Sequence, residues 1–336
     1  MPLLTLEPGI CKYQYIGSSA VVEAPKNVLT RMSRLVNPWI TCSTYSRRDS
    51  TLPLIRVSSR MTSLPDTLNL EQPFLLHSGK VAHRATPSDG FNWAATSQDV
   101  LYECGNNTIN IHYVNDIDIY DVLQVLRSLL IEQVLASGYT LFHAGALLDN
   151  GHLSLVFGEK GAGKTTTVLA LALEGMQFVT NDKCLLSNSC YCWGIPQAIG
   201  VSDWTIRQFG TRLRPGSART HNGKLWIYPA EFASNVLNPA TGGDPQSILN
   251  VRISTVSDLV ISRMDKSETS KLLVSAMTFS NGVHAEWVRH ALNSRTPGVE
   301  HSDLLDVVSL PAISVLWNPW DRRQCRKLID VINQSN

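Results

Sequence analysis

The strongest constraint on this chain is the octapeptide Gly158-Glu159-Lys160-Gly161-Ala162-Gly163-Lys164-Thr165, a complete G-x-x-x-x-G-K-[ST] match. Its flanks give it structural meaning. His152 to Phe157 (HLSLVF) reads as a short buried strand, and Thr165 to Leu173 (TTTVLALAL) as an apolar helix. Strand, glycine-rich turn and helix together make an anion cradle, because glycines let backbone N–H groups curl inward and the helix N-terminus adds the positive end of its dipole. The expected roles follow from the residue types. Gly158, Glu159, Lys160, Gly161, Ala162 and Gly163 would wrap the phosphates of a nucleoside triphosphate such as ATP, with Thr166 just inside the helix. Lys164 would reach the β- and γ-phosphates, and Thr165 would place its hydroxyl on Mg2+. A glycine-rich turn that binds nothing is the alternative, and the flanking strand and helix weigh against it.

Composition bounds the setting. A chain of 336 residues can hold one large domain or two ordinary ones. The net charge of +1 gives no sign of a general nucleic-acid or membrane-surface binder. The longest apolar run, Val168 to Leu173, is far too short to span a bilayer. The N-terminal MPLLTLEPGICKYQY has no basic region ahead of an apolar stretch, which argues against a signal peptide. Seven scattered cysteines, an odd number, suit reduced thiols and a cytoplasmic setting better than a disulfide framework. Cys190 and Cys192 form a C-x-C pair with no second pair or nearby histidine to complete a zinc set, so half-exposed or buried strand cysteines are expected there.

The chain divides into an N-terminal region, residues 1–115, and a second domain, residues 116–336. The first carries short alternating stretches broken by Pro, Ser, Gly and Asn, and reads as a smaller, mainly β or α+β region. Tyr120 to Ala136 shows helical spacing of Val122, Val125, Leu126, Leu129, Leu130 and Val134, with Asp118 or Asp121 to cap its start and Gly138 its end. An apolar strand from Thr140 (TLFHAGALL) then turns at Asp149-Asn150-Gly151 into the strand before the glycine-rich loop. Such a turn between apolar runs predicts an antiparallel hairpin, unlike the parallel entry of a Rossmann-type domain. Gly175 should end the following helix, and Met176 to Thr180 resumes a strand that delivers Asn181 and Asp182. Residues 209–223 and 238–247 read as loops, residues 312–317 as a strand and residues 322–332 as a helix.

The segment from His143 to Asp182 resembles the core of the HPr kinase/phosphorylase family and its HPr-kinase-like relatives. The likeness rests on His143, Gly158, Lys164, Gly175 and the Asn181-Asp182 pair at matching spacing. It covers about forty residues well, and the N-terminal third matches nothing. It implies an α/β (α+β) fold with a mixed-sheet P-loop core akin to phosphoenolpyruvate carboxykinase. It further implies a kinase that uses ATP and Mg2+, releases ADP and phosphorylates a hydroxyl-bearing acceptor. By the same resemblance Asp182 would ligate Mg2+ or act as base, and His143 would orient that acid or shuttle the proton. An imidazole, with its ordinary pKa of about 6.5, suits either task. A core histidine satisfied by backbone and an aspartate in a turn are the plain alternatives.

Two departures matter. Such proteins usually carry two adjacent acids, and here the first is Asn181. The C-terminal signature associated with HPr is also missing, so a seryl peptide or protein, as in natural-product pathways, or a small metabolite is the expected acceptor. A nucleotide-dependent switch or ATPase, and a pseudokinase, stay open. The N-terminal region is the expected place for acceptor recognition or for contacts in a homo-oligomer. Arg212, Arg214, Arg219 and His221 are weaker candidates for phosphate contacts, with Lys224 weaker still.

Overall fold

Helix Ile119–Ala136 and the return of residues 280–297 define the first of two structural units in the computed structural model. That unit comprises residues 1–137 with 280–297, and the second comprises 138–279 with 298–336. Helix Ile119–Ala136 falls within the first unit. The structure describes residues 8–45, 51–59, 69–75, 81–86, 93–97, 100–114, 116–195, 197–210, 219–221, 224–227, 229, 240–278, 288–289, 291–292 and 305–334. Among these, no helix is long and apolar enough to cross a membrane.

In the first unit, β1 (Pro8–Tyr15), β2 (Ser18–Pro25), β3 (Thr41–Thr44), β4 (Leu54–Ser58), β5 (Asn69–Leu75), β6 (Val81–Thr86), β7 (Trp93–Ser97), β8 (Val100–Gly105) and β9 (Thr108–Tyr113) form one sheet. Its order is β3-β1-β2-β4-β9-β8-β7-β6-β5. Strand β9 (TINIHY) buries every second side chain, the period of a sheet with one face against a core. That core is completed by α1 (Lys26–Val36), through Leu29, Met32 and Leu35, and by α2 (Ile119–Ala136). The Asp118 carboxylate caps α2 by accepting from the Tyr120 N–H at 3.0 Å. Helix α2 is buried nearly all round and carries Glu132 into the interior, where Arg289 pairs with it at 3.2 Å.

The second unit is α/β and built on a mixed sheet of order β13 (Gln177–Thr180), β11 (Gly145–Asp149), β12 (His152–Phe157), β20 (Pro245–Ile253), β23 (Ala312–Trp317), β21 (Val260–Arg263). Strand β10 (Thr140–Phe142) and β11 (Gly145–Asp149) are separated at His143-Ala144 and join different sheets, where the sequence suggested one continuous strand. Asn150 and Gly151, both at positive φ, turn β11 into β12 (His152–Phe157), and the two pair antiparallel as the Asp-Asn-Gly signal predicts. Strand β12 is buried throughout its apolar run because it lies inside the sheet, between β11 and β20, with helix α3 (Lys164–Leu173) packed on it; β13 pairs on the far side of β11. Short strands β14 (Cys184–Leu186) and β15 (Cys192–Gly194) form a hairpin beside β10. Strands β16 (Ile199–Ser202), β17 (Arg219–His221) and β18 (Lys224–Ile227) make a small separate sheet, with α4 (Asp203–Phe209) after β16.

Strands β19 (Gly242–Gly243) and β20 (Pro245–Ile253) begin inside the stretch expected to be a loop. The paired glycines there serve close approach and not a turn, since a Cβ on Gly242 would collide with the Cys192 carbonyl of β15. Then β21 (Val260–Arg263), α5 (Lys266–Ala276), β22 (Met277–Thr278), α6 (Leu305–Val308), β23 (Ala312–Trp317) and α7 (Arg322–Gln334) complete the unit. Phe142, Leu155, Phe157, Val179, Ile248 and Leu273 share its core, with Phe142 and Phe157 meeting edge to face. Strands β12, β20 and β23 run parallel.

Candidate active site at the ends of the central strands

Strand direction brings the site together. Strand β11 runs antiparallel to both β12 and β13, so the start of β11 and the ends of β12 and β13 lie along one edge of the sheet. His143 stands just before β11, the glycine-rich loop just after β12, and Asn181-Asp182 just after β13. The carboxyl ends of strands in an open α/β sheet are where ligands are bound.

Gly158 to Gly163 form a loop closed by Ala162 N–H donating to Glu159 O at 3.1 Å. Ile253 N–H, at the end of β20, ties the loop to the sheet by donating to Ala162 O at 3.0 Å. Gly163 adopts φ +98°, and a Cβ there would lie within 2.6–2.8 Å of three Ile253 side-chain atoms, so both conformation and space demand glycine. No side chain caps α3 at Gly163 and no acidic residue sits in its first turn, an arrangement that suits the N-terminal N–H groups to receiving an anion. Glu159 and Lys160 are exposed on the rim, while Thr165 is half-buried and Thr166 buried.

Lys164 is buried, and its ammonium donates to Gly158 O at 2.7 Å and to Glu159 O at 3.3 Å. Burial lowers its pKa, and the charge of Asp182 opposes that shift, which places the two residues in one electrostatic field. His143 Nδ1 lies 3.2 Å from Asp182 Oδ1, and Gln197 Nε2 donates to Asp182 Oδ2 at 2.8 Å. Burial raises the pKa of Asp182. The hydrogen bonds of His143 and Gln197, with the charges of His143 and Lys183, outweigh it and hold the carboxyl well below the usual carboxylate range. Asp182 is therefore a fixed anion at neutral pH.

Asn181 is buried, and its Oδ1 has no hydrogen-bond partner among the described residues. No group of three or more His, Cys, Asp or Glu side chains gathers among the described residues. The donor set nevertheless fits Mg2+, which binds through one or two carboxylates together with substrate phosphates. The ionised Asp182, the Thr165 hydroxyl and the orphaned Asn181 oxygen are all hard oxygen donors. Arg212 and Arg214 lie outside the described residues. Arg219 and His221 pair across the small sheet with Trp226 and Lys224. Gln197 has no motif around it and was not expected; the β14–β15 excursion brings it to Asp182, with Ile195 N–H donating to Lys183 O at 3.4 Å.

No family model matches the chain, and no curated protein matches it. Among solved structures it is similar to the HPr(Ser) kinase/phosphatase from Coxiella burnetii. The identity is 12% and the TM-score 0.28, over 58% of this chain and 88% of that one. A TM-score of that size leaves the reading of the site to its own geometry.

Proposed function

We propose that this chain is an ATP-dependent phosphotransferase that moves the γ-phosphate to a hydroxyl of a seryl peptide or protein, or of a small metabolite. The observation that carries the proposal is the meeting of Lys164 of the glycine-rich loop with the His143–Asp182 pair at one sheet edge. A loop that only held phosphate would need neither the carboxylate nor the imidazole.

In this reading the N–H groups of residues 158–165 and the start of α3 bind the β- and γ-phosphates, and Lys164 offsets their charge. Thr165 and Asp182 would hold Mg2+, which when bound would supply further charge neutralisation at the phosphates. His143 directs Nδ1 at Asp182, which leaves Nε2 to take the proton of the acceptor hydroxyl. The acceptor oxygen then bonds to the γ-phosphorus as the bond to the β-phosphate bridging oxygen breaks, and ADP leaves. Positioning and electrostatics supply the rate, as phosphoryl transfer generally requires.

Asn181 favours one competing reading. A neutral amide where a second acid is usual suits a nucleotide-dependent switch or ATPase. Incubation with γ-labelled ATP and seryl peptides or hydroxylated metabolites separates the two. Labelled acceptor, with ADP formed only when acceptor is present, supports the kinase, and its loss in Lys164→Ala and Asp182→Ala assigns the site. Free phosphate released without acceptor supports the switch, and binding without turnover a pseudokinase.

A further inference from the structure

The Asp182 carboxylate is held from both sides. A free carboxylate turns easily about its last torsion, which is broad and two-fold. Here Oδ1 faces His143 Nδ1 at 3.2 Å and Oδ2 accepts from Gln197 Nε2 at 2.8 Å, so rotation would break one contact or the other. The orientation of the Gln197 amide is fixed by chemistry, because its carbonyl oxygen would repel the carboxylate and its NH2 group must face it. Gln197 itself sits on firm ground: Ile195, Ala198 and Ile199 around it are all buried. A carboxylate offers about four lone-pair sites, and two donors leave about two for other ligands.

Resting on the phosphotransferase reading, we infer that Gln197 is a positioning residue of this site. It clamps Asp182 Oδ2 so that the carboxylate presents its remaining lone pairs to Mg2+ and the phosphates, while Oδ1 stays on His143. Asn181 is neutral and buried, so Asp182 carries the acidic ligand role alone, and its orientation is worth fixing. Outer partners of this kind typically alter metal affinity or activity by about 10–100-fold when removed.

The test compares the full-length wild type with Gln197→Leu, which keeps the bulk and removes the donor, and Gln197→Glu, which replaces the donor by an acceptor. Calorimetry measures binding of the non-hydrolysable analogue AMP-PNP with and without Mg2+. Gln197→Leu should keep the wild-type melting temperature and metal-free affinity, but lose about tenfold of the affinity that Mg2+ adds. In the phosphoryl-transfer assay kcat should fall by at least about tenfold with acceptor KM unchanged. Metal-dependent affinity and kcat within twofold of wild type in both variants would overturn the inference. So would a parallel loss of metal-free binding and melting temperature, which marks a structural role only. If Gln197→Leu fails to fold, Gln197→Glu decides by the same measurements. Should the wild type transfer no phosphate at all, the kinase reading falls, while the Mg2+-dependent binding still decides the role of Gln197.

Discussion

Arg322 grips Glu174 in a two-pronged ion pair, Nε to Oε1 at 2.9 Å and Nη2 to Oε2 at 3.2 Å, and Arg326 adds a third contact at 3.7 Å. Glu174 caps the far end of α3, and its side chain is only 3% exposed. An anion at a helix C-terminus opposes the helix dipole, so the arginines of α7 are what make it tolerable there. They anchor the distal end of the helix whose near end follows the glycine-rich loop.

Glu174→Leu should therefore lower the melting temperature only modestly, because an apolar residue of similar size leaves no buried charge. Arg322→Ala with Arg326→Ala should lower it further, by about 4 °C or more, because Glu174 then stays buried without these two cations. Differential scanning calorimetry of the three proteins at neutral pH checks the ranking. Equal losses would contradict it.

Lys164→Ala should fold with a melting temperature close to wild type, since among the described residues its ammonium donates to carbonyls of its own loop. The rise in melting temperature that saturating ATP gives the wild type should vanish in this variant. A thermal-shift titration with ATP is sufficient.

Gly163→Ala tests the loop itself. The new methyl must displace Ile253 from a backbone held at φ +98°, at an expected cost of about 1–3 kcal/mol. Nucleotide affinity should fall about tenfold or more, each 1.4 kcal/mol being about a factor of ten. The double variant Gly163→Ala with Ile253→Ala should regain only part of this, because the space is restored and the backbone strain is not.

Glu132 supplies a pH signature in the first unit. Burial pushes its pKa up to about 7, against the opposing pull of Arg289. A carboxyl whose folded pKa lies above its unfolded value, about 4.3, stabilises fully below that value. The contribution is lost as the pH rises through about 7. Glu132→Gln cannot ionise, so its melting temperature relative to wild type should improve from pH 5 to pH 8. A flat or falling difference would refute the assignment.

What the sequence made legible was what is local. The glycine-rich loop, the Asn150-Gly151 turn, the Asp118 cap and the strand Ala312–Trp317 are each set by neighbours in the chain, and each stands where its residues predict. His143 and Asp182 were readable only as a pair at a familiar spacing. Their 3.2 Å contact depends on strand order, which no local pattern encodes. Gln197 carried no signal, since an amide fifteen residues beyond Asp182 becomes meaningful only after the β14–β15 hairpin folds back. The glycines of β19 misled because glycine marks both turns and close strand approach.

The return of residues 280–297 to the first unit limits how the gene can be cut. Arg289 reaches Glu132 from a stretch encoded some 150 codons downstream. A fragment ending at residue 137 would strand a carboxylate in an apolar interior, and one starting at residue 138 would carry Arg289 away from Glu132. Neither unit is encoded by one continuous stretch of the gene, so a single cut cannot release either one intact.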